Sequence, residues 1–165
     1  MATAPEKTPE KGRLDLELER VLKAPRAMVW RAWTEPEQLK RWFTPAPWKT
    51  VDCAMELRPG GRFYTHMRGP EGEDVRSEGC VLDVETGRRL VFTDTLLPDW
   101  RPAPAPFFTA VVTMEDHPDG TLYRALAMHK DDADRKKHED MGFHEGWGTV
   151  AGQLEQIAQE LARKP

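Results

Sequence analysis

The sequence is poor in the residues that build disulfide-bonded or nucleophilic sites. Its two cysteines, Cys53 and Cys80, are far apart in segments with the alternation of strands, so neither a disulfide framework nor a close metal-binding pair is expected. Both thiols are interpreted as reduced, buried and inert. The only serine, Ser77, lies between Arg76 and Glu78 without the glycines of a nucleophile elbow. We therefore expect no serine nucleophile.

Long apolar runs and an excess of basic charge are also missing. No segment approaches the roughly 20 apolar residues needed to cross a bilayer, and the N-terminus lacks the apolar core of a signal peptide. These absences predict a cytoplasmic protein without a membrane span. The net charge is −4 at pH 7, and the basic cluster at residues 135–137 is flanked by acidic residues, so no nucleic-acid partner is expected.

The composition is that of a globular protein. With 165 residues, of which 39% are hydrophobic and 32% charged, the chain is long enough to bury one core of its own. Residues 1–12 carry Pro5, Pro9 and alternating charge without periodicity, which predicts a disordered lead-in. A single domain is predicted over residues 13–163.

Alternation of apolar and polar residues predicts seven strands. They are expected at about 13–24, 48–57, 63–67, 75–84, 89–96, 107–114 and 121–129. Two short helices, starting at Pro25 and near Pro36, are predicted between the first two strands. The segment from Pro98 to Pro106 is predicted as a loop carrying Trp100, because its prolines lack the donor that a strand ladder needs.

The last segment predicts one helix from Lys130 to about Ala162. Apolar residues at helical spacing give it one buried face; they are Phe143, Trp147, Val150, Leu154, Ile157 or Ala158, and Leu161. Glycines cluster around Trp147 although glycine is a poor helix former, which predicts a kink or a close backbone approach there.

Five histidines invite a catalytic or metal-binding interpretation. His138 and His144 are six residues apart, a spacing that separates them around a helix, so both are predicted to be solvated rather than to bind zinc. His66 and His117 are also predicted to lie outside. His129 ends the last strand and is a candidate for ligand contact. No metal and no cofactor are predicted.

Short pieces of sequence spread over about 130 residues resemble a known family. The pieces are Arg20 with Ala24-Pro25, Val29-Trp30-Arg31-Ala32-Trp33-Thr34, Pro36, Leu39, Arg41-Trp42, Leu57-Arg58-Pro59-Gly60-Gly61, Gly79, Leu90-Val91-Phe92-Thr93, Gly120-Thr121, Gly142-Phe143 and Glu145-Gly146-Trp147. In this order they are similar to the activator of heat-shock protein 90 ATPase homologue (AHSA-like) domain family. That family belongs to the START-like or birch-pollen-allergen-like (SRPBCC) superfamily.

The resemblance implies an α+β helix-grip fold. In this fold a curved seven-stranded antiparallel sheet wraps around a long C-terminal helix, with two short helices between strands 1 and 2. A hydrophobic cavity can form between the long helix and the sheet. Chaperone activators of the family carry a further N-terminal domain, which the residues before Arg13 are not expected to supply.

Aromatic and small residues that would face this cavity are the candidate ligand-binding site. Ala125 and Ala127 leave room on one strand, Tyr123 and His129 supply polar groups, and the loop with Trp100 is expected near the mouth. The complete set is Trp42, Phe43, Phe63, Met67, Phe92, Trp100, Phe107, Tyr123, Ala125, Ala127, His129, Phe143 and Trp147.

Three functions follow from this combination of fold and residues. The first is binding of an apolar small molecule, lipid-like or aromatic, with no catalytic residue assigned. The second is a chaperone-associated or regulatory interaction module, with a chaperone or a second copy of the chain as partner. The third is a cyclase-like or aromatase-like enzyme on an apolar substrate, using His129, Tyr123 or Asp94 as acid or base.

Overall fold

The computed structural model describes residues 10–164, which form a large sheet with helices on one face. The elements in chain order are β1 (Asp15–Leu22), α1 (Arg26–Thr34), α2 (Pro36–Leu39), β2 (Lys49–Met55), β3 (Arg62–Arg68), β4 (Asp74–Glu85), β5 (Arg89–Thr93), β6 (Leu96–Leu97), β7 (Arg101–Pro102), β8 (Phe108–His117), β9 (Gly120–His129), α3 (Asp132–Asp140) and α4 (Phe143–Arg163). No helix in this range combines the length and apolar character needed to cross a membrane.

The main sheet has seven antiparallel strands in the order β1-β9-β8-β5-β4-β3-β2. Two short helices separate β1 from β2, and the long helix α4 packs on α1 and β1. These features confirm the predicted α+β helix-grip fold. The long helix therefore lies toward the β1 edge of the sheet.

One face of the sheet is apolar and packs under the helices. Leu18, Ala125 and Val112 lie side by side on β1, β9 and β8, and all three are buried. Opposite them, α4 buries its predicted apolar stripe, including Leu154 and Leu161. Burying each such side chain contributes roughly 1.5 to 3 kcal/mol, so this layer is the main source of stability.

The prediction of a single C-terminal helix from Lys130 is wrong, because the helix is interrupted between α3 and α4. Gly142 adopts a left-handed conformation with φ of 89°. Its N–H donates to the carbonyl oxygen of Glu139 at 3.0 Å, which closes the end of α3. A left-handed glycine is a common way to end a helix, but helical periodicity alone continues across it.

The proline-rich segment is also more ordered than a loop. Leu96–Leu97 and Arg101–Pro102 pair as a second, two-stranded sheet, and β5 ends at Thr93. Between them, the N–H of Asp99 donates to the carbonyl oxygen of Gly60 at 2.8 Å. A Cβ at Gly60 would come within 2.8 Å of Nε1 of Trp100, so the indole needs a glycine beneath it.

The burial of two residues, one on β2 and one on β3, differs from the prediction. His66 lies on the face opposite Phe63 but is only 7% exposed, with Nε2 at 2.6 Å from Oδ1 of Asp74. This contact and Arg68 lower the pKa of Asp74. Cys53 is half-buried rather than buried; desolvation raises its pKa to about 11, which keeps the thiol protonated.

The predicted disordered lead-in at residues 1–12 lies mostly outside the described residues. The described part starts with a turn in which the N–H of Gly12 donates to Oδ2 of Asp15 at 2.6 Å. Arg13 then forms an ion pair with Asp132 at 2.6 Å. These contacts join the start of β1 to the start of α3.

Gly142→Ala should lower the free energy of unfolding by about 1 to 2 kcal/mol, because an alanine is strained in a left-handed conformation. Gly152→Ala is the matched control within α4. A Cβ there has open space, so it should raise the free energy of unfolding by up to about 1 kcal/mol. Urea denaturation measures both; equal effects of the two substitutions would contradict the helix break.

Candidate functional site

Two histidines meet where β9 ends. His129 is the last residue of β9, and its Nε2 lies 2.8 Å from Nδ1 of His138 in α3. The other ring nitrogen of His129, Nδ1, lies 2.9 Å from the carbonyl oxygen of Leu14. The histidine pair, His129 and His138, thus joins the last strand, the residue before β1, and α3.

The prediction that His138 is solvated is wrong, because only 7% of it is exposed. The prediction rested on the spacing of His138 and His144 within one continuous helix. The left-handed Gly142 separates α3 from α4, so that spacing does not apply across the break. His144, which belongs to α4 itself, is exposed as predicted, and His117 is half-buried.

Aromatic rings surround the buried imidazole of His138. Its ring centroid lies 5.0 Å from Phe107, 5.1 Å from Phe108 and Phe143, and 5.8 Å from Trp147. Burial lowers the pKa of His138 to about 4, with a smaller contribution from the charge of His129. The ring of His138 is therefore uncharged at neutral pH.

The contacts limit where the protons of the histidine pair lie. A carbonyl oxygen only accepts, so Nδ1 of His129 donates to Leu14. Nε2 of His129 and Nδ1 of His138 share one proton in their hydrogen bond. Within residues 10–164 no side-chain nitrogen or oxygen is both fully buried and unpaired, so the second ring nitrogen of His138, Nε2, is accessible.

A pocket of about 260 Å³ lies beside the histidine pair, where β8 begins and β9 ends. Half of its lining is apolar, from Pro106, Phe107, Phe108 and Met128, and the remainder is Thr95, Thr109, His129 and Lys130. None of these residues belongs to α4. The pocket therefore lies at the sheet end rather than beneath the long helix.

The candidate residues fall into two aromatic clusters. The first cluster contains Trp33, Trp42, Phe43, Phe63 and Phe92. In it, the ring centroids of Phe63 and Phe92 lie 4.7 Å apart, and those of Trp33 and Trp42 lie 4.8 Å apart. This cluster belongs to the main core. Met67 lies on the same face of β3 as Phe63 and is half-buried.

The second cluster contains the predicted Phe107, His129, Phe143 and Trp147. Sequence reasoning missed its other two members, Phe108 and His138. Phe108 could have been found, because it shares the alternation of Ala110 and Val112 on β8. Nothing in the spacing of His138 signals its burial.

The small candidate residues are buried, and the polar ones are engaged in hydrogen bonds within the protein. Ala125 and Ala127 are buried. The hydroxyl of Tyr123 accepts from Nε1 of Trp33 at 3.2 Å, and burial raises its pKa, so it is no acid at neutral pH. Asp94 uses Oδ1 to accept the backbone N–H groups of Phe107 and Phe108. Of the three acid or base candidates, only His129 lines the pocket.

Trp100 lies away from the pocket lining. It is 50% exposed and packs over Gly60. The other end of the proline-rich segment, Pro106 with Phe107, reaches the pocket instead. As for metals, residues 10–164 hold no group of three or more His, Cys, Asp or Glu placed to bind an ion.

The fold is of the START-like class, and comparison with known proteins assigns the family. The family described as "Activator of Hsp90 ATPase homolog 1-like protein" matches residues 23–159, so the chain belongs to this family. The predicted resemblance is confirmed. No curated protein matches the chain significantly.

Solved structures agree with this assignment. Protein NE0264 from Nitrosomonas europaea is 47% identical, with a TM-score of 0.90 over 93% of this chain and 99% of that one. Protein Ms6760 from Mycobacterium smegmatis is 28% identical, with a TM-score of 0.71 over 87% and 90%. An AHSA1-like protein from Aeromonas hydrophila, at 20% identity and a TM-score of 0.69 over 90% and 94%, shares the fold.

The histidine pair predicts an acid-sensitive fold. In the unfolded chain His138 has its ordinary pKa of 6.5, whereas the folded value is about 4. As pH falls from 6.5 toward 4, the unfolded state takes up a proton that the folded state resists. The free energy of unfolding should therefore fall by up to about 3 kcal/mol across this window.

His138→Phe should flatten this dependence, because the aromatic replacement cannot titrate. Denaturant melts between pH 7.5 and 4 measure the slope. His144→Gln is the matched control, since His144 is exposed, and it should keep the wild-type slope. An unchanged slope in His138→Phe would show that other groups cause the acid sensitivity.

Proposed function

We propose that the chain binds a small, mostly apolar molecule in the pocket where β8 begins and β9 ends. The observation that carries this proposal is the pocket itself, whose walls include Phe107, Phe108 and Met128 beside His129, which is hydrogen-bonded to the uncharged ring of His138. Ligand pockets in proteins typically combine apolar walls with a few polar groups that orient the ligand. The candidate residues Phe107 and His129 belong to this lining.

The size of the pocket limits the ligand. At about 260 Å³ it is slightly smaller than the roughly 300 to 1,000 Å³ of sites for drug-sized molecules. A single aromatic ring with a short substituent fits this space better than a long lipid chain. Burying about 150 Å² of apolar surface contributes roughly 4 kcal/mol before the costs of association, which corresponds to weak binding.

Binding fits the chemistry of the site better than catalysis does. A general base works best with a pKa near the working pH, and the pKa of His138 is about 4. The hydroxyl of Tyr123 and the carboxylate of Asp94 are already engaged inside the protein. The contacts of Asp94 hold the backbone of Phe107 and Phe108 in the pocket wall.

The position of the pocket supports a preformed site. Phe108, Thr109, Met128 and His129 belong to two neighbouring strands of the sheet, where Phe108 pairs with His129 and Thr109 with Met128. The ring of His129 is held by hydrogen bonds at both nitrogens. Walls of this kind need little reordering when a ligand enters, which reduces the entropic cost of binding.

Binding can be tested by titrating the ¹⁵N-labelled protein with 4-ethylphenol and, separately, with ethylbenzene. Either probe should shift the amide signals of Phe108, Met128 and His129, because these residues line the pocket. Millimolar probe that leaves these signals unchanged would contradict the proposed function.

Met128→Trp should fill the pocket and weaken probe binding about tenfold or more, equivalent to about 1.4 kcal/mol. Leu122→Trp is the matched control, because Leu122 lies on the same face of β9, is half-buried like Met128, and does not line the pocket. The control should bind probe like the wild type. Equal losses in the two variants would place the binding site elsewhere.

A further inference from the structure

Helix α3 supports the wall of the pocket from behind. Its residue His138 contacts the rings of Phe107 and His129, and both of these residues line the pocket. Resting on the proposed function, we propose that α3 is a pH switch of the pocket. The helix is docked at neutral pH, and in acid it detaches from the end of the sheet while the rest of the fold persists, which releases the ligand.

Helix α3 is attached to the protein through one buried side chain. Of its nine residues, Asp132–Asp140, only His138 is buried. The ion pair of Asp132 with Arg13 lies at the surface, where both side chains are more than half exposed. Exposed ion pairs contribute little to stability. Docking of α3 therefore depends mainly on His138 and its hydrogen bond to His129.

The cluster around His138 is separate from the main core. Leu16, Ala127 and Phe143 are its buried apolar residues, and the main core is another, larger set. The left-handed Gly142 ends α3 before α4 begins, so α3 can move without displacing α4. Segments with few buried contacts open locally at a lower free energy than the whole fold. Detachment of α3 therefore leaves the main core in place.

The groups that face His138 are rings rather than carboxylates. His129 faces it from β9, and His144 lies against the ring of Phe143 on α4. The other rings belong to Phe107, Phe108, Phe143 and Trp147. Charged side chains of this region pair with one another or extend over the surface; they are Lys130, Asp131, Asp134, Arg135, Lys137 and Glu139. A proton on His138 thus places a charge inside an aromatic cluster, where desolvation opposes it.

Protonation of His138 therefore favours detachment. Its pKa is about 4 in the docked helix and takes the ordinary value of 6.5 once water surrounds the ring. As pH falls below 6.5, the detached helix takes up a proton that the docked helix resists, so the ratio of docked to detached protein decreases. Between pH 7.5 and pH 4.5 these two values imply a decrease of roughly 70-fold.

Detachment loosens the pocket. His129 loses the partner of its Nε2, and Phe107 loses the ring of His138, whose centroid lies 5.0 Å from its own. The pocket wall formed by these two residues is then no longer fixed. A ligand that prefers the docked form must favour docking by the same factor by which docking favours the ligand. Ligand binding and protonation of His138 therefore oppose each other.

Amide hydrogen exchange tests the detachment without any ligand. Protection factors of amides 135–141, corrected for the intrinsic effect of pH on exchange, should fall tenfold or more between pH 7.5 and pH 4.5. The amides of Ala110 and Val112 report on the main core and should keep their protection. Constant protection in α3 would overturn the inference, and so would an equal fall in α3 and in β8, because that result indicates global unfolding.

Titration with ethylbenzene, which does not ionise, tests the release of a ligand. The probe should bind about tenfold or more weakly at pH 4.5 than at pH 7.5. Equal affinity at the two pH values would overturn the inference and leave the proposed function standing. Absence of binding at pH 7.5 would overturn the proposed function, on which the inference rests.

Variants assign the effect to His138. His138→Phe cannot take up a proton, so at pH 4.5 it should keep α3 protected and ethylbenzene bound. His138→Arg is charged at every pH, and at pH 7.5 it should show the exchange and the weak binding of the wild type at pH 4.5. His144→Arg, the matched control, adds the same charge at an exposed residue and should behave like the wild type.

The two His138 variants check each other. Wild-type pH dependence in folded His138→Phe would overturn the inference, because another group would then cause the release. A docked α3 in folded His138→Arg at pH 7.5 would overturn it as well. Either variant decides the matter if the other does not fold.

Discussion

The hydrogen bond between His129 and His138 connects the parts of the protein that meet at one end of the sheet. Through Leu14 it holds the start of β1, and through the rings around His138 it reaches β8 and α4. Burial disfavours a charged ring in this apolar setting, so the pKa of His138 is lowered and its ring stays uncharged at neutral pH. Burial and neutrality therefore depend on each other.

This constraint also shapes the pocket. With its ring held at both nitrogens, His129 contributes a fixed wall, and the backbone around Phe107 and Phe108 is held by the carboxylate of Asp94. On the opposite side, Oγ1 of Thr93 lies 2.8 Å from Oγ1 of Thr95 and 2.9 Å from Oγ1 of Thr109. A site whose polar groups bond to one another can be apolar overall and still orient a ligand through a few polar atoms.

Much of the fold could be predicted from the sequence, because strands of period two and one long apolar helical stripe leave few arrangements. Leu154 and Leu161 are buried as the stripe predicts, and the family resemblance supplies the order of layers. The burial of His138 could not be predicted, since it depends on the left-handed turn at Gly142. The hydroxyl contact between Thr93 and Thr109 could not be predicted either, since it depends on strand pairing.

The central claim is that burial keeps the ring of His138 uncharged at neutral pH. Long-range ¹H–¹⁵N NMR spectra of the imidazole rings at pH 7 test it directly, because protonated and unprotonated ring nitrogens differ strongly in chemical shift. The account predicts one protonated and one unprotonated nitrogen in the ring of His138. Protons on both ring nitrogens of His138 at this pH would contradict it.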